Sequence, residues 1–454
     1  MMSLRCRKGR AAPARAVAVL VFSAASACAS AQSNSARTTD EDVLREYAGV
    51  YQWQPNRYLY LQTWNELSGK NQLVSFDESG DVRTLYPGDR DRFSTGAGAA
   101  VPTPVDSRVT FQRDAAGRIA SLTWQRSNEA PRVARRVEIE RHQDVRFVNG
   151  DIELAGTLIR PATGNRHPAI ILVHGSGPAS REQILPFARF LVRRGIAVLA
   201  YDKRGVGGST GDWTMATFDD LASDVVAAFR YLASRQDIDT SAIGLFGVSQ
   251  AGWVMPLAAV SEPRIAFLVS VSGPGIPPSE TTIDHARNEM TAGGMKPETV
   301  NQILGVMRLQ NEYARTGKGW NDYLAARSAL AARIGQPPES FPATPEHPAW
   351  GPLRRLYAYD PAPTLNRLRT PTLALFGELD NNILADKNRA AWESALAMSG
   401  NPDYMLRVIP RANHIHLEAR IGTNAEMRSL SRFAPAYYST ISEWLAVRIP
   451  GYVR

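Results

Sequence analysis

AIGLFGVSQAGWVMPL, residues 242–257, begins as a buried strand and ends as a helix. Its first five residues form a short apolar run with β-branched Ile243, the pattern of a strand covered on both faces. Gly247-Val248-Ser249-Gln250-Ala251-Gly252 follows, and then an apolar run at helical spacing. A serine on so tight a strand-to-helix turn sits in a strained backbone conformation, so small residues must flank it. Gly247, two before the serine, and Ala251, two after, leave room for strand and helix to approach. The serine oxygen is lifted above the sheet edge. The next amide, Gln250 N–H, lies at a helix start, where negative charge is favoured. The usual pattern has Gly where this chain has Ala251, one extra methyl group in a crowded place.

The rest of the chain supplies a setting for that turn. At 454 residues it is long enough for one large unit and a smaller one. The net charge of +8 misleads: Arg5, Arg7, Lys8, Arg10 and Arg15 lie in the first 31 residues, which hold no acid, and without these five it is +3. No basic run is interleaved with aromatics, so nucleic acid is not an expected partner. Residues 1–31 read as a secretory signal: a basic start, an apolar run at 16–27 too short to span a bilayer, and Ala29-Ser30-Ala31 before Gln32. The expectation is an exported protein, periplasmic or secreted, with no membrane span. Lipidation at Cys28 is the competing reading, although Ala25-Ser26-Ala27 lacks the usual leucine. Both cysteines, Cys6 and Cys28, fall in this leader, so a chain cut after Ala31 has no disulfide, thiolate metal site or cysteine nucleophile. The histidines form no HExxH pattern, and neither metal nor cofactor is expected.

Residues 40–141 carry short alternating runs separated by turn signals: RYLYLQTW, QLVSFDE, VRTLYPGD, SRVTFQRD and RIASLTWQR. They predict a small β-barrel-like unit that folds separately. Residues 96–104 read as a flexible Gly/Ala/Pro loop and 133–141 as a connecting strand. Residues 145–161 predict a hairpin turning at Asn149-Gly150-Asp151. From Ala169 strands alternate with helices, the signature of a doubly wound, mostly parallel sheet. Strands are expected at 169–174, 196–201, 242–246, 265–271, 372–377 and 404–409. Helices are expected near 183–194, 218–234, 250–261, 385–399 and 427–446. A helical insertion at 276–365 breaks the rhythm at the carboxyl edge of the sheet. Its apolar stripes, such as Ile303, Val306 and Met307, suggest a lid over Ser249 that sets substrate choice.

HGSGP (174–178), YDKRGVGGST (201–210), GVSQAGW (247–253), GELDNN (377–382) and NHIH (413–416) occur in one fixed order. On these motifs residues 145–450 resemble an α/β-hydrolase, nearest to secreted bacterial enzymes of the esterase, dienelactone-hydrolase and prolyl-oligopeptidase-like branch. The opening YAGVY and the run FQRDAAGRIASLTW resemble the small lipocalin-like domains attached to such hydrolases. That resemblance implies ligand binding, or the plainer roles of packing and substrate screening.

The resemblance implies a catalytic triad. Ser249 is the nucleophile, activated by a base. His414 is that base, with His416 as competitor. Asp380 orients the imidazole, with Glu378 nearby but off the family spacing. Gln250 N–H and Ser176 N–H form the oxyanion hole, with Gly177 in reserve. His174 reads as structural, and Asp202 and Arg204 as scaffold pairs. The expected activity is cleavage of a small-molecule carboxylic ester through an acyl-enzyme. Thioester or amide cleavage is the runner-up; an aminopeptidase would need an amine anchor, such as Glu280 or Glu289. A fold that has lost catalysis and only binds is the reading from another class.

Overall fold

The computed structural model describes residues 40–453 apart from 66, 68, 185 and 336–339; the expected leader lies outside the described residues. Helix α1 (Asp40–Tyr47) leads into eight strands: β1 (Gly49–Gln54), β2 (Arg57–Trp64), β3 (Gln72–Asp77), β4 (Val82–Pro87), β5 (Arg92–Gly98), β6 (Val101–Arg113), β7 (Ile119–Arg126) and β8 (Arg132–Val137). They pair antiparallel in order, and β8 closes on β1 to complete a barrel. The strand period of two puts Leu59, Leu61, Leu73 and Leu85 inside, with Tyr51 and Phe111, so side chains fill the interior.

The alternate residues do not face water. Val50, Tyr60, Trp64, Val74, Phe76 and Val82 are buried in one continuous cluster with Phe190, Leu191, Phe433 and Trp444 from the rest of the chain. The small β-barrel expected over residues 40–141 is thus present, and its outer face is part of a core shared with the rest of the chain. Polar contacts fix the docking. Arg189 donates to Leu61 O and Gln62 Oε1, both at 3.1 Å, and pairs with Glu140 at 3.0 Å. Arg193 and Arg194 close on Glu78 at 2.5 and 3.0 Å.

Two stretches differ from the sequence reading. Residues 96–104 are not a flexible loop but the end of β5, a tight turn at Ala99-Ala100 and the start of β6. A Cβ on Gly96 would lie 1.6 Å from Val101 O, and one on Gly98 would lie 2.8 Å from Arg428 O, so these glycines are required by close approach. Residues 133–141 contain β8, which closes the barrel, and the start of the next sheet.

That sheet comprises β9 (Glu140–Asn149), β10 (Ile152–Pro161), β11 (His167–Val173), β12 (Ala197–Tyr201), β13 (Ile238–Val248), β14 (Leu268–Val271), β15 (Thr372–Gly377) and β16 (Tyr404–Ile409). The order is β16-β15-β14-β13-β11-β12-β10-β9, parallel from β16 to β12, with an antiparallel edge hairpin. Ile170, Ile171 and Leu172 on β11 are all buried, as a strand covered on both faces requires. After β11 the chain passes through α2 (Arg181–Ile184) and α3 (Pro186–Val192) to β12. It then returns across β11 through α4 (Phe218–Ala233) to β13. Helix α4 starts at a capping box, Thr217 with Asp220, and buries Leu221, Val225, Phe229 and Leu232 against the sheet. The order reverses between β11 and β13, so their carboxyl ends flank the crevice where open α/β sheets hold ligands.

Helix α5 (Ala251–Ser261) follows β13. Between β14 and β15 lies the insertion: α6 (Pro278–Ala292), α7 (Pro297–Thr316), α8 (Trp320–Ile334), α9 (Trp350–Tyr357) and α10 (Ala362–Leu365). Ile303, Val306 and Met307 pack with Ile283, Tyr323 and Trp350 in a core of the insertion's own. Helices α11 (Ala385–Ser399) and α12 (Ala436–Ala446) complete the fold. The helix expected over 427–446 begins only at Ala436. Residues 428–433 lie along the barrel: Val82 N–H donates to Ser431 O at 2.9 Å, Phe433 N–H to Gly80 O at 2.7 Å and Ala100 N–H to Arg428 O at 2.9 Å.

Candidate active site

Ser249 follows directly on β13, with φ at 59°, a left-handed conformation uncommon in residues other than glycine. Its N–H donates to Val271 O at 2.9 Å, which ties the strained turn to the neighbouring strand. A Cβ at Gly247 would stand 2.3 Å from the Ala251 Cβ and 2.8 Å from Val173 O. Strand and helix thus meet at van der Waals distance, and the Ala251 methyl is tolerated because Gly247 has none.

Asp380 lies just beyond β15 and its side chain is fully buried; the His414 side chain, in the loop after β16, is 13% exposed. His414 Nδ1 lies 3.0 and 3.1 Å from the two Asp380 oxygens. A carboxylate acceptor on Nδ1 fixes the proton there and leaves Nε2 with a lone pair able to take a proton. Burial pushes the Asp380 carboxyl up, but His414, Ile383 N–H and the Ser272 hydroxyl outweigh it and hold the group below its ordinary value. The buried Asn413 shapes the loop, its side-chain oxygen accepting Ile415 N–H at 3.2 Å and Leu417 N–H at 2.9 Å.

The competitors are occupied elsewhere. His416 is fully buried against Tyr437 with ring centroids 4.9 Å apart, and burial pulls its imidazole down to about 3. Glu378 is exposed and accepts Arg411 N–H at 2.7 Å. His174 is buried on Tyr201 O, and burial lowers it to about 3 as well. Asp202 pairs with Arg181 at 2.9 Å and Arg204 with Asp224 at 2.8 Å, both within the scaffold. Glu280 pairs with Lys387 at 2.9 Å, and Glu289 accepts Asn424 N–H at 3.3 Å.

Ser249, His414 and Ser176 line one cavity of about 260 Å³, together with Leu172, Phe187 and Trp64. Trp64 comes from the barrel; its indole N–H donates to Gln183 O at 3.1 Å, which fixes the ring as part of the wall. The insertion supplies none of this cavity's lining. It meets the acid–base pair instead through His285 on α6, which lies within electrostatic reach of His414 and Asp380. Asn288 on the same helix donates to Asn381 O at 3.1 Å. A wider cleft of about 380 Å³ between α6 and α7 is walled by Arg287, Arg308, Glu312 and neighbours, and includes neither Ser249 nor His414.

The loop after β11 passes beside the serine: a Cβ on Gly175 would lie 3.8 Å from Ser249 Cβ. Gly175 O and Gly177 O both accept from Lys203 Nζ, at 2.8 and 3.1 Å. The C=O and N–H of a trans peptide point opposite ways. The Ser176 N–H, sharing a peptide with Gly175 O, therefore points away from the lysine. The peptide of Gly177 O ends on Pro178, which has no N–H. Gln250 N–H stands at the first turn of α5, where unpaired amides favour an anion. The arrangement can hold a carbonyl carbon near a hydroxyl, accept that hydroxyl's proton and offer amides to the resulting oxyanion.

Sequence reasoning placed Ser249, Asp380, His414, Ser176 and Gln250 in this region, and the fold brings them together. It missed Trp64, Lys203 and Ser272. Lys203 had a signal in three consecutive charged residues directly after a buried strand; Trp64 had none, since its position depends on how the barrel docks.

Among curated proteins, the quorum-quenching protein AidA of Acinetobacter baumannii is 30% identical over 28% of this chain and 42% of its own length. The chain thus spans under half the length of that relative. Esterase EstD of Thermotoga maritima is 23% identical over 78% of both chains. Among solved structures, an esterase of Pyrococcus furiosus superposes with a TM-score of 0.44 and 19% identity, covering 68% of this chain and 92% of its own. The family described as the alpha/beta hydrolase family matches residues 170–425, a span from β11 past the His414 loop. With more than half of its length within that match, this chain belongs to the alpha/beta hydrolase family.

Proposed function

We propose that the protein is a serine hydrolase that cleaves a small-molecule carboxylic ester through an acyl-enzyme. The observation that carries this reading is the Asp380–His414 hydrogen bond, with His414 lining the same cavity as Ser249. Ser249 attacks the carbonyl as His414 takes its proton, and Asp380 stabilises the imidazolium. Ser176 and Gln250 N–H groups receive the oxyanion. His414 then protonates the departing alkoxide, and water repeats the sequence to release the acid. The largely apolar cavity of about 260 Å³ favours a small acyl or alcohol group, bounded by Trp64 and Phe187. The resemblance in sequence to an esterase agrees with ester over thioester or amide. We read residues 1–31 as an export signal, which sets the reaction outside the cytoplasm; among the described residues no helix is long and apolar enough to cross a membrane. The insertion shields the acid–base pair from one side through α6.

Ser249→Ala tests the assignment. The variant should fold, lose about 10⁴-fold or more in turnover of p-nitrophenyl acetate, and lose labelling by a fluorophosphonate. Wild-type turnover in the alanine variant overturns it.

A further inference from the structure

Lys203 is buried, 3% exposed, two residues beyond β12. Among the described residues no carboxylate lies at ion-pair distance from its amine. Its neighbour Asp202 is committed to Arg181, and Asp224 to Arg204. Its amine instead donates to three neutral acceptors: Gly175 O at 2.8 Å, Gly177 O at 3.1 Å and Gln250 Oε1 at 3.0 Å. An ammonium has three N–H bonds, so the set is complete. Two acceptors belong to the loop that carries Ser176 N–H. The third belongs to the residue whose own N–H is the other oxyanion donor. One cation ties together both halves of the proposed oxyanion hole.

We propose that Lys203 is the positioning residue of the oxyanion hole, holding Ser176 N–H and Gln250 N–H in register and placing an unneutralised positive charge behind them. This rests on the serine-hydrolase reading above. The argument is one of complementarity. A buried cation without a counter-ion is poorly accommodated in the resting protein, and burial alone draws its amine down to about 7. When the substrate carbonyl becomes an oxyanion across the loop, a negative charge appears at short range in a site of low dielectric. The interaction exists in the transition state and not in the bound ester, the condition for raising kcat rather than lowering KM. Fixing Gly175 O on the ammonium also prevents that peptide from flipping, which would present a carbonyl to the oxyanion.

The test compares wild type with Lys203→Met, nearly the same length but without charge or donors. With p-nitrophenyl acetate the variant should lose roughly 10²-fold in kcat, as when one oxyanion donor is removed, with KM changed by less than about threefold. A trifluoromethyl ketone, which adds to the serine and fills the oxyanion hole, should bind more weakly by the same factor as kcat/KM falls. The parent methyl ketone, which occupies the pocket without adding, should bind as it does to wild type. A folded variant with wild-type kcat overturns the proposal, as does an equal loss of affinity for both ketones, the mark of a merely structural role. If Lys203→Met does not fold, Lys203→Gln, with two N–H donors on a neutral side chain, carries the same comparison. Wild-type kcat there overturns the role of the charge. Failure of the underlying reading looks different: the wild type itself would then resist fluorophosphonate labelling at Ser249.

Discussion

Gly247→Ala perturbs the turn at its closest contact. The new methyl carbon would stand 2.3 Å from the Ala251 Cβ and 2.8 Å from Val173 O. Carbon atoms of packed side chains settle near 3.5 Å or beyond, so strand and helix must part by about 1.2 Å or the turn must rotate. Forced overpacking of this kind costs about 1–3 kcal/mol. Ser249 sits between the two displaced elements, and a shift of about 1 Å at a reacting group lowers turnover roughly 10²-fold. The assay is kcat on p-nitrophenyl acetate together with thermal unfolding followed by circular dichroism. Two companions localise the effect. Ala251→Gly removes the opposing methyl and should stay active, with a stability loss under about 1 kcal/mol from glycine in the first helical turn. The double variant Gly247→Ala/Ala251→Gly removes the 2.3 Å contact, leaves the one with Val173 O, and should recover part of the lost activity. Gly247→Ala with kcat within twofold of wild type and an unchanged melting point refutes the crowding argument. A double variant no better than the single one clears the Ala251 methyl of blame.

Trp64→Ala should enlarge the cavity beside Ser249 and raise kcat/KM for longer acyl chains relative to acetate, while costing about 3–5 kcal/mol of stability; an unchanged chain-length profile excludes the barrel from substrate selection. A chain beginning at Glu140 should fail to fold into a stable hydrolase, because one face of its sheet and α12 lose the cover of the barrel's outer face; a monomeric, cooperatively melting product would contradict the shared core. His416 and His174 stay neutral in the fold with values near 3, whereas in the unfolded chain they protonate near 6.5. Only the unfolded state takes up protons between those values, so stability is full above about pH 6.5 and falls toward pH 3 by about 1.4 kcal/mol per pH unit for each residue. His416→Gln should therefore flatten the pH dependence of the denaturation midpoint by about one proton without the collapse of turnover expected of His414→Ala; an unaltered slope refutes it.

Legibility followed locality. Strands β2, β15 and β16 and helix α11 lie where alternation, apolar runs and end signals put them, because each pattern is complete within its own segment. Ser249, Asp380 and His414 each stand just beyond a recognisable strand, so finding the strands led to their meeting place. What escaped depends on contacts remote in sequence. In RYLYLQTW the alternation of Leu59 and Leu61 with Tyr60 and Trp64 looks like an inside and an outside, and nothing in that segment says that the outside is also covered. Gly96 and Gly98 read as freedom, yet Gly98 is pressed against Arg428 and Ser429. The stretch 428–433 has a helix-compatible composition, but its backbone groups are claimed by the barrel.

That claim has a consequence for how the molecule is made. Arg83 donates to Ser431 O at 2.7 Å across 348 residues. From there Arg432 O accepts Glu418 N–H at 2.8 Å, and Ala434 N–H donates to His416 O at 2.9 Å, two residues from His414. A chain growing from its amino end completes the barrel long before residue 431 exists. Until then the apolar outer face of Val50, Tyr60, Val74 and Phe76 lacks the cover of Leu430, Phe433 and Trp444, a condition under which young chains stick to one another. Closing so long a loop is slow, and it comes last. The loop of His414 is tied to residues that are made last, so the emerging polypeptide carries Ser249 for some time before the base we propose for it exists.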